Sequence, residues 1–133
     1  MFTTVSVNFR PDDHGVMPLL KELTSMLEER GTRVLFPDYD PVRSMYCSRY
    51  IVTEEEFINL PDLVVVVGGD GTFLRTARLF ADTGKPIFGI NRGNLGFLTE
   101  FNPSEYRSCL LRVLDGEYST TQRVVMEAVH MRR

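Results

Sequence analysis

A short glycine-rich segment with one carboxylate is the first place in this sequence where chemistry is expected. The segment Gly68-Gly69-Asp70-Gly71-Thr72 follows a run of β-branched residues and precedes a stretch with helical spacing. Glycines at a strand-to-helix turn let backbone N–H groups approach a phosphate, which the helix N-terminus also attracts. The segment therefore predicts a phosphate site. It matches neither the GxGxxG pattern of dinucleotide-binding loops nor the GK[ST] ending of a Walker A loop, so neither kind of loop is predicted.

The carboxylate of Asp70 is unusual for a phosphate loop. An anionic side chain beside phosphates is unfavourable unless a cation or a proton-transfer task accompanies it. The alternative is that Asp70 only caps a helix beginning near Gly71, a contribution of about 1 kcal/mol. The surrounding glycines favour the functional interpretation. Arg75, one helical turn further on, either contacts phosphate or ribose or is an exposed helix residue.

A second segment of candidate binding residues is Asn91-Arg92-Gly93-Asn94-Leu95-Gly96-Phe97-Leu98-Thr99. It follows another short apolar strand, so we expect it at the same edge of the sheet as Asp70. Phe97 and Leu98 are either ligand contacts or core residues, because apolar side chains beside a sheet are usually buried. Arg92 is expected to face solvent.

Together the two segments resemble the GGDGT and NxGxLGFLT motifs of NAD kinases, and the resemblance extends over nearly the whole chain. GGDGT alone also occurs in diacylglycerol and sphingosine kinases, and related loops occur in phosphofructokinases. The second motif is not expected in the lipid kinases. The resemblance implies that Asp70 is a general base that takes the proton from the 2′-hydroxyl of the adenosine ribose of NAD. That oxygen then attacks the terminal phosphate of ATP and NADP is formed.

The resemblance also implies which other residues bind substrates. Mg²⁺ would enter with ATP and balance its charge, and no protein metal ligand is assigned. Two alternatives remain open, a catalytically inactive nucleotide-binding module and a lipid-kinase-like domain. The expected substrate contacts are Gly68, Gly69, Gly71, Thr72 and Arg75 for the phosphates, and Asn91, Gly96, Phe97, Leu98 and Thr99 for NAD.

The elements that must position these motifs alternate between strand and helix. This alternation predicts an α/β fold, a Rossmann-like parallel sheet with helices on both faces and the GGDGT loop at a strand-to-helix turn. We expect Gly31 and Gly84 to follow the ends of two helices. Asp38 to Tyr50 lacks periodicity and is expected to be a mobile connection. The patterns predict strands at Thr4–Phe9, Thr32–Phe36, Leu63–Val67 and Pro86–Ile90, and helices at Met17–Arg30, Thr72–Ala81 and Ser104–Leu114.

Two parts of the chain are expected to differ in kind. Residues 1–118 form the predicted α/β domain, and residues 119–133 resemble the start of a second, β-rich domain, whose opening strand would run from Thr121 to Met131. In the NAD kinase resemblance, that domain supplies further NAD contacts and most of an oligomer interface. We therefore expect a homo-oligomer for the full-length enzyme, and low or absent turnover for this chain alone.

Composition and charge argue against several classes of protein. The chain has 133 residues and a formal net charge of −3, and it has no cluster of Lys and Arg for binding nucleic acid. No apolar run approaches the roughly 20 residues of a membrane span. Cys47 and Cys109 are far apart and suggest neither a disulfide framework nor a zinc site. A reducing cytoplasm is the expected location.

Overall fold

The architecture is a parallel sheet covered by helices, seen in a computed structural model that describes residues 2–44, 48–91 and 106–115. In the described residues four parallel strands pair in the order β2-β1-β3-β4. The strands are β1 Thr4–Phe9, β2 Arg33–Leu35, β3 Leu63–Gly68 and β4 Ile87–Asn91. The helices are α1 Met17–Glu29, α2 Asp40–Arg43, α3 Glu54–Asn59, α4 Asp70–Leu79 and α5 Tyr106–Leu114, with 3₁₀ turns at His14–Val16 and Ser48–Tyr50.

The four predicted strands are confirmed, with ends that agree within two residues. β3 lies between β1 and β4, and all six of its residues are buried. A central strand of a parallel sheet is covered on both faces, which explains the uninterrupted apolar run at Leu63–Val67. Crossovers between parallel strands need a dozen or more residues, and the intervening helices supply them.

Helices cover both faces of the sheet, as predicted. Successive residues of a strand point to opposite faces, so Val65 and Val67 join one core cluster while Val64 and Val66 join the other. The first cluster contains the apolar sides of α1 and α5. The second contains Phe57 of α3 with Phe73, Ala77 and Phe80 in and just after α4. None of the helices in the described residues combines the length and apolar character that a membrane crossing requires.

The expectation of a mobile connection between Asp38 and Tyr50 is not what the structure shows in its described part. The short helix α2 and the 3₁₀ turn at Ser48–Tyr50 occur there, and Val42 and Tyr50 are buried in the first core cluster. The Tyr50 hydroxyl donates to Glu28 Oε2 at 2.7 Å. The described residues of this segment are held by these tertiary contacts, which the absence of periodicity could not predict.

The helix α3 is an element that the sequence analysis did not predict. Thr53 is its N-cap and forms a capping box with Glu56, in which each side chain bonds the other residue's backbone N–H. The sequence signal T-x-x-E was present and could have identified this helix.

Two glycines follow helix ends in the left-handed region, as expected. Gly31 has φ +78° after α1, and Gly84 has φ +70° in the turn after α4. The helix α4 starts at Asp70, two residues before the predicted start. The predicted opening strand of a second domain, and all of residues 119–133, lie outside the described residues.

Candidate functional site

The GGDGT segment forms the end of β3 and the first turn of α4. Gly68 is the last residue of β3, Gly69 is the N-cap with extended backbone, and Asp70 is the first helical residue. Amides of a first helical turn have no intrahelical acceptor, and the helix dipole makes this end positive. The turn therefore presents donors and favourable potential for an anion at the carboxyl edge of the sheet.

The position of Asp70 bears on the capping alternative. The N-cap position belongs to Gly69, and the Asp70 side chain is half-buried within the first turn of α4. A negative side chain in this turn is stabilised by the helix dipole. The backbone N–H groups of the same turn are the ones that would hold a phosphate, and the role of Asp70 as a proton acceptor stays a prediction.

The three glycines of the motif differ in what surrounds them. A β-carbon built on Gly68 would lie 2.9 Å from Cβ of Thr72, so packing within the protein requires glycine there. A β-carbon on Gly69 would meet nothing within 4 Å. One on Gly71 would make only an ordinary contact with Nη1 of Arg75, at 3.9 Å. The open space above Gly69 is where a ligand can approach the backbone.

A buried polar network holds the first turn of α4 against β1. Asn8 Nδ2 donates to Thr76 Oγ1 at 2.8 Å, and Thr76 Oγ1 donates to the carbonyl oxygen of Thr72 at 2.8 Å. Tyr39 Oη donates to Asn8 Oδ1 at 3.4 Å. Sequence analysis missed Asn8, Tyr39 and Thr76. The available signals were a polar residue near the carboxyl end of a buried strand and the i, i+4 spacing of Thr72 and Thr76.

The side chain of Arg75 is directed towards the motif. Its Nη2 donates to Thr72 Oγ1 at 3.2 Å, although the residue as a whole is exposed. This geometry leaves the guanidinium at the turn that would bind phosphate, where a charge-assisted contact is strong. Burial raises the pKa of the neighbouring Tyr39 and the charge of Arg75 opposes that rise.

A cleft of about 550 Å³ lies beside this turn, between the end of β1 and α4. We call it the arginine cleft, because Arg75 and Arg78 both line it and both are exposed. Residues three apart on a helix lie on the same face, so the two guanidiniums follow one another along α4. Sequence analysis did not single out Arg78. The other polar residues that line the cleft include Asn8, Tyr39, Glu54 and Thr72.

Asn91, the first residue of the second motif, lies beside the first motif in the sheet. It ends β4, pairs in parallel register with Gly68, and is fully buried. Neither its Oδ1 nor its Nδ2 has a hydrogen-bond partner within the part of the chain that the structure describes. A buried unpaired polar group costs about 1–3 kcal/mol, so such a group needs an explanation. The structure thus brings Asn91 to the edge where Asp70 lies, and its role in binding stays a prediction.

The remaining candidates of the second motif fall outside the described residues. These are Gly96, Phe97, Leu98 and Thr99, together with Arg92. Their assignment as NAD contacts stays a prediction from the sequence.

Comparisons with known proteins identify the family of this chain. Residues 5–118 match the family model described as the ATP-NAD kinase N-terminal domain. The NAD kinase of Bordetella avium (strain 197N) is 38% identical over 127 residues, which are 95% of this chain and 42% of that protein. The NAD kinase of Teredinibacter turnerae is 34% identical over 131 residues, which are 98% of this chain and 45% of that protein. The chain therefore spans less than half the length of these relatives.

A solved structure supports the fold. The crystal structure of yeast NADH kinase complexed with NADH superposes with a TM-score of 0.74 at 22% identity, over 86% of this chain and 38% of the yeast chain. At this identity the likeness shows a shared fold. Since the family model covers most of the sequence, including the GGDGT turn, the chain belongs to the ATP-NAD kinase family and corresponds to its N-terminal domain.

Proposed function

We propose that this chain forms the phosphoryl-transfer half of an NAD kinase active site, which moves the terminal phosphate of ATP to the 2′-hydroxyl of the adenosine ribose of NAD. The observation that carries the proposal is the register between Gly68 and Asn91. It brings a phosphate-type turn and an unpaired buried amide to adjacent strand ends, so a donor phosphate and an acceptor sugar can meet there.

Asp70 acts as the general base in this proposal. Its carboxylate takes the proton of the ribose 2′-hydroxyl while that oxygen attacks the terminal phosphorus of ATP. The bond between that phosphorus and the β,γ-bridging oxygen breaks, and ADP leaves. A carboxylate is a weak base for an alcohol, but phosphoryl transfer depends mainly on alignment and charge stabilisation, so late proton transfer is sufficient.

The turn around Asp70 supplies the alignment. Backbone amides at Gly69, Gly71 and Thr72 would donate to the phosphates, since the open side of Gly69 lets the phosphates come close. The Arg75 guanidinium, already held at Thr72, would stabilise the charge that develops on the transferred group. Gly68 contributes indirectly, because its missing side chain allows Thr72 to pack at this position.

The NAD side of the site depends on Asn91 and on the segment that follows it. An amide carries both donors and acceptors, and a ribose hydroxyl or an adenine edge can pair with both kinds of group. Such pairing would relieve the cost of the buried unpaired Asn91 side chain. Gly96, Phe97, Leu98 and Thr99 are proposed as the further NAD contacts.

A divalent cation fits this site only as a companion of the nucleotide. The described residues contain no group of three or more His, Cys, Asp or Glu side chains that could hold a metal ion. Mg²⁺ commonly keeps several waters and is bound through substrate phosphates, so the phosphates of ATP and water would be its ligands, and no protein ligand is assigned. The ion would supply charge neutralisation of the donor.

The setting of the enzyme is part of the same proposal. We propose a cytoplasmic location and a homo-oligomer for the whole enzyme, with NAD and ATP as its small-molecule partners and no nucleic acid or membrane partner. The net charge of −3 and the free thiol of Cys109 are consistent with that setting.

The test is NADP formation from ATP and NAD by the chain alone and by the chain joined to the carboxyl-terminal part of the Bordetella avium NAD kinase. We expect activity in the fusion, and a loss of at least about 100-fold in kcat for Asp70→Asn. Asp82→Asn, at an exposed position just after α4, is the matched control and should keep the wild-type rate. Circular dichroism should show that both variants remain folded.

Three results would contradict the proposal. A normal rate of NADP formation by Asp70→Asn would show that Asp70 is not the general base. Binding of ATP and NAD without any NADP, even in the fusion, would identify a nucleotide-binding module without chemistry. Phosphorylation of diacylglycerol or sphingosine in place of NAD would identify a lipid kinase.

A further inference from the structure

A small pocket lies beside β2, away from the GGDGT turn. β2 ends the strand order β2-β1-β3-β4 of the described residues, so β1 separates it from β3. The pocket has a volume of about 310 Å³, which is at the lower end of the range for small-molecule sites. We call it the edge pocket. Its wall consists of Glu28, Arg33, Val34, Arg49 and Tyr50, and none of these residues lines the arginine cleft.

One side of the edge pocket is held by a chain of hydrogen bonds. Nη2 of Arg49 donates to the Tyr50 hydroxyl at 2.8 Å, and this hydroxyl donates to Oε2 of Glu28 at 2.7 Å. The Arg49 guanidinium also lies over the Tyr50 ring, with its central carbon 4.8 Å from the ring centre, which adds a cation–π attraction. Tyr50 itself is buried in the first core cluster. The Arg49 cation is therefore oriented before any ligand arrives.

The position of Glu28 indicates that its carboxylate supports this chain of hydrogen bonds. Glu28 lies in the last turn of α1, where the helix dipole disfavours a negative charge. That turn contains no basic residue that would compensate for the charge. The carboxylate thus does not stabilise its own helix end, and its contribution is to hold the Tyr50 hydroxyl and, through it, Arg49.

The other side of the edge pocket contributes a second cation. Arg33 is the first residue of β2 and is exposed, and its side chain has no hydrogen bond or ion pair among the residues that the structure describes. The pocket thus combines two guanidiniums from different elements with one carboxylate, so its net charge is positive and it attracts small anions. Val34 and Tyr50, which are both buried, complete the wall with apolar surface.

We propose that the edge pocket binds a small organic phosphate monoester, with the phosphate group on Arg33 and Arg49 and the organic part against Val34 and Tyr50. One arginine can pair with both oxygens of a carboxylate, whereas a phosphate monoester has three terminal oxygens that can accept from two guanidiniums at once. The pocket is larger than a bare phosphate ion, so an attached organic group has room. This inference does not depend on the proposed function, because the edge pocket and the arginine cleft share no wall residue.

The experiment titrates the 133-residue chain with phenyl phosphate and follows the backbone amides by NMR. Chemical-shift changes locate the bound ligand, so binding in the edge pocket is distinguished from binding at the GGDGT turn. We expect the amides of Arg33, Val34, Arg49 and Tyr50 to shift with one common Kd. Benzoate carries the same ring on a carboxylate, and we expect its Kd at these amides to be about fivefold higher or more, because phosphate carries more charge and more acceptor oxygens.

Three variants test which charges bind the ligand. Arg33→Gln should raise the Kd of phenyl phosphate at these amides by about tenfold or more, because it removes a charge-assisted contact. Glu28→Gln keeps an acceptor for the Tyr50 hydroxyl and removes the negative charge from the wall, so it should lower this Kd by about two- to fivefold. Arg107→Gln, the matched control, removes a guanidinium from an exposed position outside the edge pocket and should leave the Kd within about twofold.

The assignment is overturned if phenyl phosphate shifts no amide of the edge pocket, whether or not it shifts those of the GGDGT turn. It is also overturned if benzoate binds the edge pocket as tightly as phenyl phosphate. A Kd that is unchanged in both Arg33→Gln and Glu28→Gln, with both variants folded by circular dichroism, would show that these charges do not bind the ligand.

Discussion

Gly68 and Thr72 pack so closely that a β-carbon at position 68 would lie 2.9 Å from Cβ of Thr72 and 3.0 Å from its Oγ1. Thr72 is buried and its carbonyl oxygen accepts the Thr76 hydroxyl, so it has little room to move. The end of β3 and the start of α4 are thus joined by a contact that only glycine permits. This contact determines where the first-turn amides of α4 lie.

Gly68→Ala should lower the stability of the chain. The added methyl group must displace Thr72 from a well-packed position, and overpacking of this kind costs about 1–3 kcal/mol. Urea denaturation followed by circular dichroism measures the change in the free energy of unfolding. Gly69→Ala is the matched control, since a β-carbon there meets nothing within 4 Å and its backbone is extended. Because Gly69 is the N-cap of α4, where alanine is less favourable than glycine, we expect Gly69→Ala to cost about 1 kcal/mol or less, below the cost of Gly68→Ala, and to weaken ATP binding. Equal loss of stability in both variants would show that the packing of Gly68 against Thr72 is not the cause of the loss.

Asn91→Leu should preserve the stability of the chain and reduce NADP formation. The buried amide has no partner among the described residues, and leucine of similar size removes its desolvation cost. We expect the free energy of unfolding to stay unchanged or to rise by about 1–3 kcal/mol. NADP formation by the fusion should fall through a higher KM for NAD. A large loss of stability would show that the amide is already paired in the free protein.

The hydrogen bond between Asn8 and Thr76 should contribute to stability as a coupled pair. Both side chains are buried and 68 positions apart, with 2.8 Å between Nδ2 and Oγ1. Asn8→Ala and Thr76→Val each leave the other group without this partner, so each should cost about 1–3 kcal/mol. The double variant should cost less than the sum, with a coupling of about 0.5–3 kcal/mol. Strictly additive losses in denaturation experiments would show that the bond contributes nothing specific.

Alkaline unfolding should depend on Tyr106. This residue of α5 is fully buried and its hydroxyl donates to Glu22 Oε1 at 2.6 Å. Burial first, and then the bond to Glu22, raise the pKa of Tyr106 above its ordinary value. The folded chain therefore keeps this proton at pH values where the unfolded chain, with a pKa of about 10, loses it. The contribution to stability is complete below about pH 10 and declines above it, by at most about 1.4 kcal/mol per pH unit.

Urea titrations at several pH values between neutrality and pH 11 measure that decline. Tyr106→Phe removes the titrating hydroxyl and should flatten the alkaline part of the curve. Tyr39 and Tyr50 also have raised pKa values, so a smaller slope should remain. A curve for Tyr106→Phe that runs parallel to that of the wild type would exclude Tyr106 as a source of the slope.

Much of the fold followed from local patterns. Leu63–Val67 predicted a strand covered on both faces, and the alternation of strands with helical segments predicted a parallel sheet, because both depend on residues close together in sequence. The motifs around Asp70 and Asn91 followed from spacing too, since the carboxyl ends of parallel strands meet at one edge. The short helix α3 was missed although its capping box was visible in the sequence.

The sequence by itself determined the class of fold, the family resemblance and the edge of the sheet where chemistry is expected. Only the tertiary structure decided that Asn8 supports α4 through Thr76, that Tyr39 lies beside Arg75 and Arg78, and that Gly68 pairs with Asn91. These relationships join residues far apart in the chain. They depend on the strand order β2-β1-β3-β4 and on side-chain directions, which no local pattern of residue types specifies.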